Sequence, residues 1–472
     1  MASTRIDTGQ LARLLGNWSS FDRRLADSLA DAVIDLVDTG LLAPGVELPP
    51  QRDLSSALGV SRGTVTMAAQ ILEARGYLEA RRGSGVRIRV GAEHAARVGQ
   101  GRFLSFTDTP PDVIDLSSGA LPASQVTREV LATVIDGDLA PYLDTDGYFP
   151  AGLPAFRQAI ADHLSADGVP TRPAEVLVTT GGQQSLDLAM RLATDPSDLV
   201  LVEEPTYRGA LEVAHAWGAR VEGVPIANGG IDVELVARAI HRKPVALYCQ
   251  TGIHNPTGQS MRPGDQRALA DVINSAGLPT IEDCSSYEIT LTGAPARSLA
   301  GLVDPDLLIT VGTLSKLFWG GLRLGWIRTD ETRIRQLLEL RKSRDLASAV
   351  PSQLWGERLL ARSDEARRQR QEMLAERLAA AGPIVAAYFP EWTWEPIVGG
   401  SGLWIDTHAD ALAISEVARR AKVKLAAGPG FSAYGGQRSM LRLPLWHESA
   451  LLHRALEVVS SSLGGLRPAL AE

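Results

Sequence analysis

One lysine and one arginine, seven residues apart, carry the most specific chemistry in this chain. In the run Thr310-Val-Gly-Thr-Leu-Ser-Lys316-Leu-Phe-Trp-Gly-Gly-Leu-Arg323-Leu-Gly-Trp326, small and β-leaning residues deliver Lys316 to a strand end, and Arg323 follows among glycines. An amine in a desolvated pocket sheds its proton readily and condenses with a carbonyl to a Schiff base, while a guanidinium fork beside it binds phosphate. The aldehyde cofactor that carries a phosphate is pyridoxal 5'-phosphate (PLP). Between Lys243 and Lys342 the chain holds no lysine except Lys316, which sharpens that reading.

Further candidates stand at the ends of apolar runs. Thr180-Gly181-Gly182-Gln183-Gln184 opens the helical pattern Ser185–Leu192. Backbone N–H groups at a helix N-terminus cup a phosphate, although a tight structural turn explains the same glycines. Glu204-Pro-Thr-Tyr207 sets an aromatic ring where a planar cofactor can stack. Asn255, in His254-Asn255-Pro256-Thr257-Gly258, can donate to a phenolate oxygen. Asp283 can pair with a ring nitrogen and so keep a pyridinium protonated as an electron sink, and its burial predicts a cationic partner. Arg442, inside the apolar run Met440–Pro444, suits a carboxylate ligand or an internal ion pair.

Strands and helices must position these groups. Val176–Thr180, Leu199–Val202, Val245–Tyr248, Thr280–Ile281 and Leu307–Val311 read as buried strands separated by helical patterns. That alternation predicts an α/β domain with a largely parallel sheet, and ligands bind beyond the C-terminal ends of such strands, where the candidates fall.

The first ninety or so residues have a different character. Leu25, Leu29, Ala32, Val33, Leu36 and Val37 share one helical face, with Asp27, Asp31, Asp35 and Asp38 opposite; Gly40 and Pro44-Gly45 end the helix. Arg52–Leu58 and Arg62–Arg75 are two more helical patterns joined by Gly59-Val60-Ser61, with Ser61 as the N-cap of the second. The spacing predicts a helix-turn-helix, with Ser61, Arg62 and Thr64 against base edges. Tyr77–Arg89 reads as two strands around Gly83-Ser84-Gly85, a ribbon whose Arg81, Arg82, Arg87 and Arg89 suit phosphate contact.

At 472 residues, 45% hydrophobic and 22% charged, the chain is long enough for two or three domains with sizeable cores. A net charge of -8 confines DNA binding to a local surface. Cys249 and Cys284 are the only cysteines, which predicts neither a disulfide framework nor a Cys-rich zinc site and points to a reducing cytoplasm. No apolar leader follows a basic start and no run approaches about twenty apolar residues, so no membrane partner is expected. From Val90 to Asp112 turn formers without period predict a linker.

Two resemblances sharpen these expectations. Gly45-Val-Glu-Leu-Pro-Pro-Gln-Arg52-Asp-Leu54, Leu58-Gly-Val-Ser-Arg62-Gly-Thr-Val65, Ala69, Leu72, Gly76-Tyr77-Leu78 and Gly83-Ser-Gly85 resemble the winged helix of the GntR family of bacterial regulators. The resemblance implies a dimeric regulator in which Arg52, Ser61, Arg62 and Thr64 touch double-stranded operator DNA. The wing, with Arg81, Arg82, Gly83 and Gly85, would reach its backbone.

Tyr142 to Gly147, Gly182-Gln183, Pro205-Thr-Tyr207, Asn255-Pro-Thr-Gly258, Asp283, Ser315-Lys316, Arg323 and Arg442 resemble the fold-type I, aspartate-aminotransferase-like PLP enzymes. That resemblance implies an internal aldimine at Lys316, Asp283 on the pyridine nitrogen, Asn255 on the ring hydroxyl and Tyr207 stacked on the ring. Gly182, Gln183, Thr313, Ser315 and Arg323 would hold the phosphate and Arg442 an amino-acid α-carboxylate. Tyr142 is similar to the family tyrosine that reaches the phosphate of the other subunit, which implies a homodimer. No metal is expected.

Winged helix, linker and aminotransferase-like domain in that order identify the chain as a member of the MocR subfamily, with expected boundaries at 1–89, 90–112 and 113–472. In that subfamily PLP, or an amino acid or amine condensing with it at Lys316, alters how the dimer holds DNA in the bacterial cytoplasm. A working aminotransferase with an accessory DNA-binding module is the other reading, and Arg52, Arg62 and the arginine-tipped wing favour the regulator. One departure stands out. Relatives place a tyrosine two residues after the ring-nitrogen aspartate, whereas this chain has Ser285; either Tyr287 reaches in or that phenol is missing.

Overall fold

The computed structural model describes residues 6–15, 18, 24–38, 42, 46–75, 77–81, 85–88, 109–133, 135–292 and 294–464. The N-terminal unit comprises helices α1 (Thr8–Leu15), α2 (Leu25–Asp38), α3 (Gln51–Leu58) and α4 (Arg62–Ala74), then the antiparallel strands β1 (Leu78–Arg81) and β2 (Gly85–Ile88). Gly59 ends α3 in the left-handed region at φ 66°, a conformation that costs glycine little. Ser61 caps α4 by accepting the Thr64 N–H at 3.1 Å. Apolar periodicity places Leu29 and Val33 of α2 against Val65, Ala68 and Leu72 of α4 in one core with Leu54 and Ile88. Leu25, expected on the inner face, is the first residue of α2 and remains 43% exposed.

The larger unit begins with β3 (Ile114–Leu116) and includes an outlying helix α5 (Asp136–Leu143). Its main sheet contains β4 (Val176–Thr179), β5 (Leu199–Glu204), β6 (Arg220–Ala227), β7 (Gly230–Ile231), β8 (Ala246–Cys249), β9 (Thr280–Asp283), β10 (Leu308–Thr313) and β11 (Gly325–Arg328). Two helices of this unit matter for the site: α6 (Gly182–Ala193) follows β4, and α7 (Arg208–Trp217) follows β5. The spatial order is β4-β11-β10-β9-β8-β5-β6-β7. β6, β5, β8, β9 and β10 run parallel in register, while β11 is antiparallel to both β10 and β4. Strands buried on both faces need near-continuous apolar runs, as in β4 and β8. β9 is buried at every position too, but its Glu282 and Asp283 are satisfied there by hydrogen bonds from Thr251, Ser298, Leu299, Tyr248 and Ser285.

A second sheet, absent from the sequence expectations, has the order β12-β13-β15-β14-β3, with β12 (Thr393–Trp394), β13 (Gly402–Asp406), β14 (Val423–Ala427) and β15 (Met440–Pro444). Its inner face packs on the helix α8 (Ser363–Tyr388) and the helix α9 (Ser449–Gly464) through Leu374, Val385, Leu403, Leu443, Leu452 and Leu456. No helix among the described residues is long and apolar enough to cross a membrane.

Candidate functional site

The topology brings β4, β5, β8, β9 and β10 to one edge of the main sheet with their C-terminal ends together. β11 runs the other way, so Arg323, two residues before it begins, lies at that same edge. A cavity of about 330 Å³ opens there. Gly182, Gln183, Tyr207, Asn255, Asp283, Thr313, Ser315, Lys316, Arg323 and Arg442 all line it. Tyr142 does not; it packs edge-on against Phe149 at 5.5 Å.

Lys316 sits in the loop after β10, and its Nζ donates to the Gly119 carbonyl at 2.8 Å. Burial, reinforced by the positive charges of Arg442 and Arg208 and opposed by Asp283, pushes its pKa down to about 7. Near neutral pH a large share of this amine is therefore unprotonated and nucleophilic. Arg370 of α8 grips the same loop, its guanidinium donating to the carbonyls of Leu317, Phe318 and Pro122 at 2.8, 2.5 and 2.6 Å.

Asp283 ends β9 buried, yet no cation among the described residues pairs with it. Instead Tyr248 donates its hydroxyl at 2.8 Å and the Ser285 N–H donates at 2.8 Å. The expected cationic partner is thus left to a ligand. Asn255 is held through its backbone by Gln250: the Asn255 N–H donates to Gln250 Oε1 and Gln250 Nε2 donates to the Asn255 carbonyl, both at 3.2 Å. Glu203 in turn accepts from Gln250 N at 3.0 Å, and complete burial pushes its carboxyl pKa up to about 8.

Tyr207 donates to Gln183 Oε1 at 3.1 Å, and burial pushes its phenol up to about 12. A Cβ on Gly209 would lie 2.3 Å from the Tyr207 ring, so only a glycine there lets the ring pack so close to the start of α7. Arg323 adopts φ 51°, a left-handed backbone uncommon outside glycine. A Cβ on Gly181 would sit 3.0 Å from its Nη2, which places the guanidinium over the N-terminus of α6. Arg442 donates to Ser401 Oγ at 3.0 Å, with no carboxylate at ion-pair distance among the described residues. Burial, with the nearby charge of Arg208, lowers its pKa to about 10.

The residues present fit PLP. The buried Asn255 amide has an atom, Oδ1, with no hydrogen-bond partner among the described residues, and a flip of the amide turns its donor Nδ2 to the same place. Arg323 and the side-chain-free start of α6 offer an anion site without a protein anion in it, and the Asp283 carboxylate awaits a cation. Sequence reasoning missed Tyr248, Gln250, Glu203, Arg370 and Arg208. Of these only Arg208, adjacent to Tyr207, left a sequence signal; it is buried, donates to the Ser117 carbonyl at 3.2 Å and lies over the Phe431 ring at 5.5 Å. Ser285 and Ser286 face the cavity, whereas Tyr287 lines a different, smaller cavity with His163 and Glu288. The phenol expected from relatives is therefore missing here.

In the N-terminal unit, Arg52 and Arg62 lie exposed in the first turns of α3 and α4. Ser61 Oγ and Thr64 Oγ1 are 2.9 Å apart. Arg81 closes β1 and Gly85 opens β2; the expected contacts at Arg82 and Gly83 lie outside the described residues.

Residues 25–88 match the description "Bacterial regulatory proteins, gntR family", and residues 111–458 match "Aminotransferase class I and II". The pyridoxine biosynthesis transcriptional regulator PdxR of Corynebacterium glutamicum is 31% identical over 321 residues, 66% of this chain and 68% of that protein. The probable rhizopine catabolism regulatory protein MocR of Rhizobium meliloti is 30% identical over 312 residues, 61% of this chain and 62% of that one. This chain belongs to the MocR-type GntR subfamily. Among solved structures, the MocR-type chain is similar to LysN, the α-aminoadipate aminotransferase of Thermus thermophilus, complexed with N-(5'-phosphopyridoxyl)-L-leucine. The TM-score is 0.69 and the identity 25%, over 79% of this chain and 98% of that one. The MocR-type protein is thus a DNA-binding regulator with a PLP-dependent, aminotransferase-like domain, and PLP is its cofactor.

Proposed function

We propose that this protein is a homodimeric, cytoplasmic regulator whose hold on operator DNA depends on what occupies the Lys316 amine. The effector is PLP itself, or an amino acid or amine that condenses with it. The observation that carries this reading is one chain holding both a winged helix and a cavity in which the buried Lys316 faces Asp283, Asn255 and Arg442. PLP, when bound, supplies an aldehyde open to amine attack and a pyridinium that stores electrons.

The chain's own residues divide the work. Lys316 is the covalent anchor, and Asp283, oriented by Tyr248 and the Ser285 N–H, meets the ring nitrogen. Asn255 meets the ring oxygen and Tyr207 lies on the ring. Gly182, Gln183, Thr313, Ser315 and Arg323 hold the phosphate, and Arg442 takes an effector carboxylate. On DNA, Arg52, Ser61, Arg62 and Thr64 meet the duplex, with Arg81, Arg82, Gly83 and Gly85 of the wing along its backbone. The boundaries are 1–89 for the DNA-binding domain, 90–112 for the linker and 113–472 for the effector domain.

A dimer is supported by α5, which buries none of its residues and leaves Leu143 71% exposed, with Tyr148 58% and Trp319 40% exposed as well. In such a dimer Tyr142 serves the partner's phosphate. An effector switches DNA binding only if it favours one of two states of the dimer.

The deciding experiment is fluorescence anisotropy of the full chain on DNA from upstream of its own gene, at fixed salt, without and with PLP. A large change in affinity makes PLP the effector, in keeping with the likeness to a pyridoxine biosynthesis regulator. Unchanged binding makes PLP a fixed prosthetic group and directs the search to amino acids. Failure to bind DNA favours the second reading, an active aminotransferase, which the shared placement of Lys316, Asp283, Asn255 and Arg442 supports and the absent phenol at Ser285 opposes.

A further inference from the structure

We infer that Met67 is a specificity-determining residue of the DNA-binding unit and reads the 5-methyl group of a thymine in the major groove. The inference rests on the DNA-binding reading and goes beyond the expected contacts at Arg52, Ser61, Arg62 and Thr64.

The face of α4 opposite Val65, Ala68 and Leu72 presents Gly63, Thr66, Met67 and Gln70. The second helix of a helix-turn-helix lies in the major groove, so this face meets base edges. Several of its polar groups already have work inside the fold. Ser61 caps the helix and pairs with Thr64, and Thr66 Oγ1 donates to Gln51 Oε1 at 2.9 Å, tying α4 to α3.

Met67 has no such role. It is 52% exposed and lies outside the core of the N-terminal unit, a position that gains little from an apolar side chain in the unbound protein. Four residues earlier, a Cβ on Gly63 would have only Ser61 Oγ within 4 Å, at 3.6 Å, so the helix offers bare backbone where it would approach the groove most closely. The one apolar group on a major-groove base edge is the thymine methyl. The flexible, polarizable thioether of Met67, on the open face of that helix, is the matching surface.

The test uses the full chain and duplexes of about 30 base pairs that it selects from a random library, read by anisotropy at fixed salt. Each thymine of the selected site is replaced in turn by deoxyuridine, which removes only the methyl. The native protein is expected to lose about fourfold in affinity at one thymine per half-site, the equivalent of burying one methyl group. Met67→Ala should bind the thymine duplex about fourfold more weakly and be indifferent to deoxyuridine there. Met67→Leu should retain the preference, and the dependence on salt should be the same for all three proteins, since no charge changes.

Equal deoxyuridine penalties in native protein and Met67→Ala at every position would overturn the inference, as would the absence of any penalised thymine. A change of oligomeric state in Met67→Ala on sedimentation would also overturn it, because Met67 would then be a protein contact. If the native chain selects no duplex at all, the DNA-binding reading fails with it; intact binding without a Met67 effect sinks this inference alone.

Discussion

Lys316 Nζ and the Gly119 carbonyl are 2.8 Å apart, so the candidate nucleophile is tethered to the segment against which Arg442 packs. A Cβ on Gly119 would stand 2.0 Å from Arg442 Nη2. Gly119→Ala should therefore displace the Arg442 guanidinium while leaving the phosphate cradle alone. The expected result is unchanged PLP binding with a loss of roughly tenfold or more in the amino-acid concentration dependence of the absorbance change, the cost of one charged hydrogen bond. Parallel loss of PLP binding would contradict it.

The lowered pKa of Lys316 predicts a pH dependence. Its folded value, about 7, lies below the ordinary 10.5, so the free amine predominates above about 7. The rate at which PLP becomes fixed by borohydride should climb as pH rises through about 7 and then level off. Over the interval from 7 to 10.5 the unfolded chain binds the extra proton, so this group's contribution to stability rises with pH. Lys316→Ala should fix no PLP, and a rate midpoint near the ordinary lysine value, roughly 10, would show that the amine is not desolvated.

The Arg323 guanidinium has no hydrogen-bonding partner among the described residues and stands over the N-terminus of α6. Arg323→Met should weaken PLP binding roughly tenfold to a hundredfold, the range for a hydrogen bond to a charged group, with Arg323→Lys between the two. Absorbance titration of the apoprotein measures this. Equal affinities for all three would remove Arg323 from the phosphate site.

Arg62 opens α4 at the exposed surface. Arg62→Ala should abolish specific DNA binding at moderate salt and leave the PLP absorbance band unchanged, because the two sites draw on different sheets and helices. Loss of both signals in the one variant would show that the two units are not independent.

Leu143, 71% exposed on a helix with no buried residue, is the clearest candidate for a covered position in a dimer. Leu143→Asp should shift the protein toward monomer in sedimentation and weaken PLP binding, since Tyr142 would no longer reach the partner's site. A stable dimer with unchanged PLP affinity would place the interface elsewhere.

Much of this molecule was legible in its sequence because the relevant physics is local. Helix periodicity over Leu29, Val33, Val65 and Leu72, the Ser61 cap and the apolar runs of β4, β8 and β10 announce their elements without reference to the rest of the chain. In parallel sheets ligands gather at the C-terminal strand ends, so Lys316, Asp283, Asn255 and Tyr207 were nameable from sequence before any of them had a neighbour.

What the tertiary structure decided depends on residues far apart in the chain. β3 pairs with β14 across about three hundred residues, a contact that no local pattern reports. Tyr248 supplies the hydroxyl that Asp283 accepts, Gln250 and Glu203 hold Asn255, and Arg370 reaches from α8 to the Lys316 loop. The fate of Tyr287 was also tertiary, because it lines a cavity with His163, Leu164 and Trp326, residues far from it in the chain. Hydrogen bonds and burial act through space, and the order of residues along a chain carries only the part of that space within a turn or two.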